Sequence, residues 1–188
     1  FFIAITGGIA IGSLTAGRLI SSTGKYKPWV VLGLFVAMLA LCGLAALPLH
    51  APFWAVAGLL MAQGVAIGLG QQGPVIGAQV AAPGADVGAA TGAVTLSRMA
   101  GASLAISVYG AMLHGWLSQA RIAGAGSLAE MTPDKMAALS PAAHEAVVPA
   151  FRGAFTAVYL SAVVIAAVGF VAALLLRPVL LAPNRVAV

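Results

Sequence analysis

Between Phe53 and Val80 the chain reads FWAVAGLLMAQGVAIGLGQQGPVIGAQV, without one charged residue. A helix rises about 1.5 Å per residue and some 20 apolar residues cross the roughly 30 Å hydrocarbon core of a bilayer. This stretch is therefore long enough to span a membrane and too apolar to be wetted. Four more runs have the same character, which gives expected spans at about 1–20, 29–47, 53–80, 88–117 and 153–176. In lipid every backbone polar group must be paired within its own segment, so these runs are read as helices. The short alternating segments of a membrane β-barrel are absent. The fold class is an all-α membrane protein, a bundle of five transmembrane helices.

Composition agrees. Of 188 residues 62% are hydrophobic and 7% charged, with a mean hydropathy of +1.07. Soluble domains are about 45–50% apolar and about 25% charged. The net charge of +5 comes from Lys and Arg scattered at the ends of apolar runs, not gathered on one face, so the lipid bilayer and not nucleic acid is the expected partner. Phe1 opens directly in apolar sequence with no basic region before it, so the chain reads as starting inside a helix, as a portion of a longer protein. Counting basic residues with the loop after the first span inside puts Arg18, Lys25, Lys27, Arg177 and Arg185 inside and Arg121, Lys135 and Arg152 outside, hence a cytoplasmic C-terminus. The segment 118–152 is the one sizeable aqueous loop. Its Thr132-Pro133 and Ser140-Pro141 pairs each read as an N-cap followed by Pro, so two short helices are expected there.

Cys42 is the only cysteine and lies in an apolar run, where a thiol acts as a small hydrophobe. Three dispersed histidines (His50, His114, His144) and one cysteine have no metal-ligand spacing, so no metal and no cofactor are expected. No Ser/His/Asp grouping suggests a nucleophilic site, and the chain is not read as an enzyme.

Glycines recur four apart: Gly8 and Gly12, Gly64 and Gly68, Gly73 and Gly77, Gly88 and Gly92. Lipid tails are as apolar as leucine, so helices in a bilayer associate through close packing, and small residues let backbones approach. The expectation is that the first, third and fourth spans pack through such faces, with Gly64, Gly68, Gly73, Gly88, Gly92 and Gly101 as packing or gating positions. Static packing and sliding during alternating access remain equally open readings of these faces. Within the third span, Gln63 sits near the midplane, and Gln71 and Gln72 stand beside Pro74, where a kink is expected. Arg98 is the only charged residue well inside a span. Gln63, Gln71, Gln72 and Arg98 are the candidates for lining a substrate cavity; helix-to-helix hydrogen bonding and, for Arg98, snorkelling to lipid phosphate are the plainer alternatives. The four carboxylates, Asp86, Glu130, Asp134 and Glu145, are all expected in loops.

Two stretches carry a resemblance. Gly17-Arg18-Leu19-Ile20-Ser21-Ser22-Thr23-Gly24-Lys25-Tyr26-Lys27 resembles the cytoplasmic loop motif of the major facilitator superfamily, G-x-L-x-D-R-x-G-[RK]-x-[RK]. Gly17, Leu19, Gly24, Lys25 and Lys27 match, while Ser21 and Ser22 stand where the motif has Asp and Arg. Gly88-Ala89-Ala90-Thr91-Gly92, then Arg98-Met99-Ala100-Gly101-Ala102-Ser103 and Gly110, resembles a late helix of the fourteen-helix drug:proton antiporters of the EmrB/QacA type, with Ala102 in place of a glycine. The resemblance implies that the five spans are the last five helices of such a protein in a bacterial cytoplasmic (inner) membrane. Its partners would be the missing N-terminal half, a small-molecule substrate and protons. With no carboxylate inside a span here, the proton carrier would lie in that missing half. Two other classes remain: a facilitator carrying a metabolite or ion, and a small integral membrane subunit without transport activity of its own.

Overall fold

The computed structural model describes residues 1–48, 50–122, 126–128, 132 and 140–176. It contains five long helices: α1 Phe2–Thr23, α2 Lys27–Ala46, α3 Phe53–Ala81, α4 Val87–Gln119 and α5 Pro141–Leu175. Each is long and apolar enough to cross a membrane. A single 3₁₀ turn, Gly84–Asp86, precedes α4, and after α4 two short strands, β1 (Arg121–Ile122) and β2 (Gly126–Ser127), pair antiparallel. The chain is an all-α membrane protein, as its composition requires.

The breaks between helices follow from local chemistry. Gly24 ends α1 in the left-handed region (φ 64°), which costs glycine nothing because it has no Cβ, and its N–H donates to the Ile20 carbonyl at 2.9 Å. Pro28 follows in the first turn of α2, where its missing N–H would be unpaired anyway. Pro52 stands before α3 and Pro83 before the 3₁₀ turn. Ser140-Pro141 does start a helix, but not a short one. That helix is α5 itself, running unbroken through Pro149, so the last helix begins well before residue 153 and the 118–152 loop is shorter than its hydrophilicity suggests. Glu145 consequently sits in the first turns of α5, not in a loop. The Thr132-Pro133 pair falls mostly outside the described residues.

In space α1 packs on α3, α3 on α2, and α2 on α5, while α4 lies more loosely against α3 and α5. The α1–α3 contact is backbone against backbone. A Cβ built on Gly8 or Gly12 would run into the Met61 or Val65 carbonyl, and one on Gly64 or Gly68 would meet the Ile5 or Ile9 carbonyl. The two glycine pairs are thus reciprocal: each occupies the space beside the other helix's carbonyls. Gly73 and Gly77 serve differently. They form a socket for the buried Tyr26, whose ring lies 3.4 Å from a Cβ placed on Gly77, while Val30 fills the space beside Gly73. The expectation that α4 also packs through its glycines is not met. Gly88, Gly92 and Gly101 have nothing within 4 Å, and of α4 only Leu117 is buried.

Two cations clip α2 to the antiparallel α5. Lys27, in the first turn of α2, donates from Nζ to the Leu174 and Leu176 carbonyls at 2.7 Å each, capping the end of α5. Arg152 donates from Nη2 to the Leu47 carbonyl at 2.8 Å, capping the end of α2. Positive charge is favoured at a helix C-terminus by the unpaired carbonyls there. From Lys27 to Leu47 is about 30 Å of helix, the thickness of a hydrocarbon core. The clips therefore stand about one hydrocarbon thickness apart, and the first turns of α5, with Glu145, project beyond the Arg152 level. There Leu128 (1% exposed) tucks against Leu117, Val147 and Ala154.

Candidate functional site: the cleft between α3 and α4

The loose contact of α4 with α3 leaves an open cleft of about 500 Å³, lined by Gly70, Gln71, Pro74 and Val75 of α3 and Ala93, Val94, Ser97 and Arg98 of α4. The glycine-rich α3 sequence shapes one wall. Gly70 has no side chain and meets nothing on its open side. Pro74 lies inside α3 without ending it. A proline has no N–H, so the carbonyl four residues earlier, that of Gly70, loses its helical partner. This wall therefore carries a freed carbonyl and the Gln71 amide in an otherwise apolar surface.

The opposite wall carries a charge. Arg98 is exposed, and no hydrogen bond or ion pair to its side chain occurs among the described residues. Its depth can be bracketed along two helices. Gly33 packs on Ala66 and Gly70, and Gly33 stands six residues, or about 9 Å, inside Lys27. Along α4, Arg98 is about 28 Å from Leu117, which packs near the Arg152 level. Arg98 thus lies within about 2–9 Å of the Lys27 level, measured along the helices. It is shallower than a count from Gly88 implies, because α4 begins outside the Lys27 level. Even there an unpaired guanidinium is costly; centring one costs about 2.5–3.5 kcal/mol on insertion scales.

Of the residues expected to line a cavity, Gln71 and Arg98 are brought together here and Gln72 and Gln63 are not. Gln72 is exposed on α3 away from the lining. Gln63 falls on the α3 row between Leu59, which packs under Gly43 of α2, and Ala66, which packs under Gly33. Its Oε1 is buried without a partner. Nearer the Lys27 level, Gln79 donates to the Thr91 hydroxyl at 3.1 Å, closing the cleft at that end. In the loop motif, Ser21 and Ser22, which replace Asp and Arg, turn their hydroxyls back onto the Arg18 and Leu19 carbonyls of their own helix. Gly17 faces open space and Lys25 is exposed; Gly24 and Lys27 have the capping roles described above. Sequence reasoning missed Tyr26, Ser97 and Arg152. Only Tyr26 had a readable signal, an aromatic one residue from a motif lysine with a four-spaced glycine pair to receive it.

The chain is similar, at 32% identity over 92% of its length, to two proteins of Mycobacterium tuberculosis strains described as uncharacterized MFS-type transporters. A further relative, a tetracycline resistance determinant of Streptomyces rimosus, is 31% identical over 54% of the chain. The chain spans 26% of the length of the first two relatives and 29% of the third. No family model matches the chain, and no solved structure matches it.

Proposed function

We propose that this chain is the C-terminal portion of a secondary transporter of the fourteen-helix drug:proton antiporter type, exporting small amphipathic compounds by alternating access. The observation that carries the reading is the α3–α4 cleft, where a helix that runs through Pro74 with a freed carbonyl faces an arginine without a partner among the described residues. In membrane helices such freed backbone groups are tolerated where they line a cavity, as in the substrate sites of transporters. The likeness to MFS-type transporters supports the transport class. The likeness to a resistance determinant favours drug efflux over carriage of a metabolite. The relatives' greater length favours a longer transporter over a small subunit.

In this reading the α1–α3–α2–α5 cluster is a rigid body held by the glycine crossing and the two cationic clips. The looser α4 is the element that shifts against it, and its open glycine stripe receives the missing N-terminal half. The protein lies in a bacterial inner membrane, with the Lys27 end and the C-terminus facing the cytoplasm. The proton carrier lies in the missing half. The test is transport by the full-length protein in everted vesicles with and without a proton gradient. Gradient-dependent uptake of an amphipathic dye is expected, and uptake indifferent to the gradient removes proton coupling. Vesicles holding only these 188 residues should transport nothing.

A further inference from the structure

Resting on that transporter reading, we propose that the α3–α4 cleft is a binding site for the anionic head of an amphiphile, with Arg98 as the residue that holds the head and the apolar walls as the seat of its tail. Four observations point the same way. The Arg98 guanidinium is exposed to the cleft and takes no partner among the described residues. The nearest carboxylate in sequence, Asp86, sits twelve residues back in the 3₁₀ turn before α4, about 18 Å away at helical rise, so Arg98 has no counter-ion on its own element. The helix packed opposite contributes no charge at all between Phe53 and Ala81. Apart from Gly70, Gln71 and the Ser97 hydroxyl, the remaining lining is Pro74, Val75, Ala93 and Val94, which fits an acyl or aromatic body and adds no second charge.

The depth fits the same occupant. Arg98 stands a few ångströms inside the Lys27-side boundary, where an amphiphile held in one leaflet presents its head. A guanidinium binds a carboxylate, sulfonate or phosphate through two parallel N–H donors, and in a site of reduced dielectric such charge-assisted bonds are stronger than in water. The Gln71 amide on the facing wall orients the rest of the head, since its NH2 can donate to it. The same chemistry could come from a carried organic anion or from the phosphate of a bilayer lipid.

The experiment reads the cleft directly. Ser97→Cys is introduced into the full-length protein after Cys42→Ser, and alkylation of Cys at 97 is timed in dodecyl maltoside micelles, which carry no phosphate. The probes are dansylaminoundecanoate and its methyl ester, which share a body and differ by one charge. The acid should slow labelling about tenfold or more at concentrations where the ester does not, the factor a charge-assisted hydrogen bond supplies. Arg98→Ala and Arg98→Gln should both abolish the difference, the second variant guarding against a folding defect in the first. Equal protection by acid and ester, or protection surviving both substitutions, overturns the proposal. Repeating the measurement in phosphatidylglycerol nanodiscs assigns the source. Arg98-dependent slowing without added acid identifies a lipid phosphate, and its absence identifies the added anion. Dye transport measured alongside separates this inference from the one it rests on. Charge-selective protection without transport leaves the site standing and removes the transporter reading; transport without charge-selective protection does the reverse.

Discussion

Gly7 and Gly8 are neighbours in α1 with opposite surroundings, and alanine at each should move stability in opposite directions. A Cβ on Gly7 meets nothing within 4 Å, whereas one on Gly8 strikes the Met61 carbonyl and lies 3.0 Å from the Val65 nitrogen and 3.1 Å from the Gly64 Cα. All three are backbone atoms, so no rotamer change relieves the contact; the helices must separate. The required movement can be judged at Gly68, where an added Cβ would sit 2.6 Å from the Ser13 nitrogen and lacks about 0.8 Å of ordinary contact distance. Moving two packed helices apart by that much loosens the whole α1–α3 seam. Overpacking of this kind costs about 1–3 kcal/mol, and the upper half of that range fits a backbone obstacle. Alanine returns up to about 1 kcal/mol of helix propensity at either position. The net expectation is a loss of about 1–2 kcal/mol for Gly8→Ala and a gain of up to about 1 kcal/mol for Gly7→Ala. The two variants thus differ by about 1–3 kcal/mol, about 2–12 °C in midpoint at the roughly 2–4 °C per kcal/mol of a 150–250-residue unit, and less in a longer chain. Heating the full-length protein in detergent, then measuring the fraction that still elutes as a monodisperse peak, reads this directly. Equal midpoints for the two variants would refute the close backbone contact.

Removing either clip, by Lys27→Met or Arg152→Met, should cost about 1 kcal/mol, since both bonds join a charged donor to a carbonyl at a partly solvated helix end. The pair should be additive in a double-mutant thermal measurement because the sites stand about 30 Å apart. Tyr26→Ala empties the Gly73–Gly77 socket and should destabilise by about 3 kcal/mol, with Tyr26→Phe recovering most of it if packing dominates. Leu128→Ala should cost about 2–3 kcal/mol and speed proteolysis at the α4–α5 connection while leaving the α1–α3 seam unaffected in the same digest. Arg98→Lys tests geometry against charge in the transport assay. A lysine that fails like alanine shows that the planar fork is needed, and one that restores transport shows that a point charge suffices.

The apolar runs alone required helices, because a backbone surrounded by lipid can pair its polar groups only within its own segment. Breaks after α1, α2 and α3 were legible for the same local reason, through Gly24, Pro52 and Pro83. The start of α5 was not. Ser140-Pro141 signals a beginning equally well for one turn or ten, and only the packing of Val147 and Ala154 on Leu117 and Leu128 shows the helix continuing outward from the membrane. Glycines spaced by four were visible in three of the spans, yet spacing is a property of one helix and contact a property of two. The structure pairs Gly8 and Gly12 with Gly64 and Gly68, gives Gly73 and Gly77 to an aromatic ring, and leaves Gly88 and Gly92 open. Gln71 and Arg98 were readable one by one as polar groups in apolar sequence. That they share a cleft while Gln63 and Gln72 do not depends on which faces α3 and α4 turn to each other, a rotation about the helix axis that no local preference specifies.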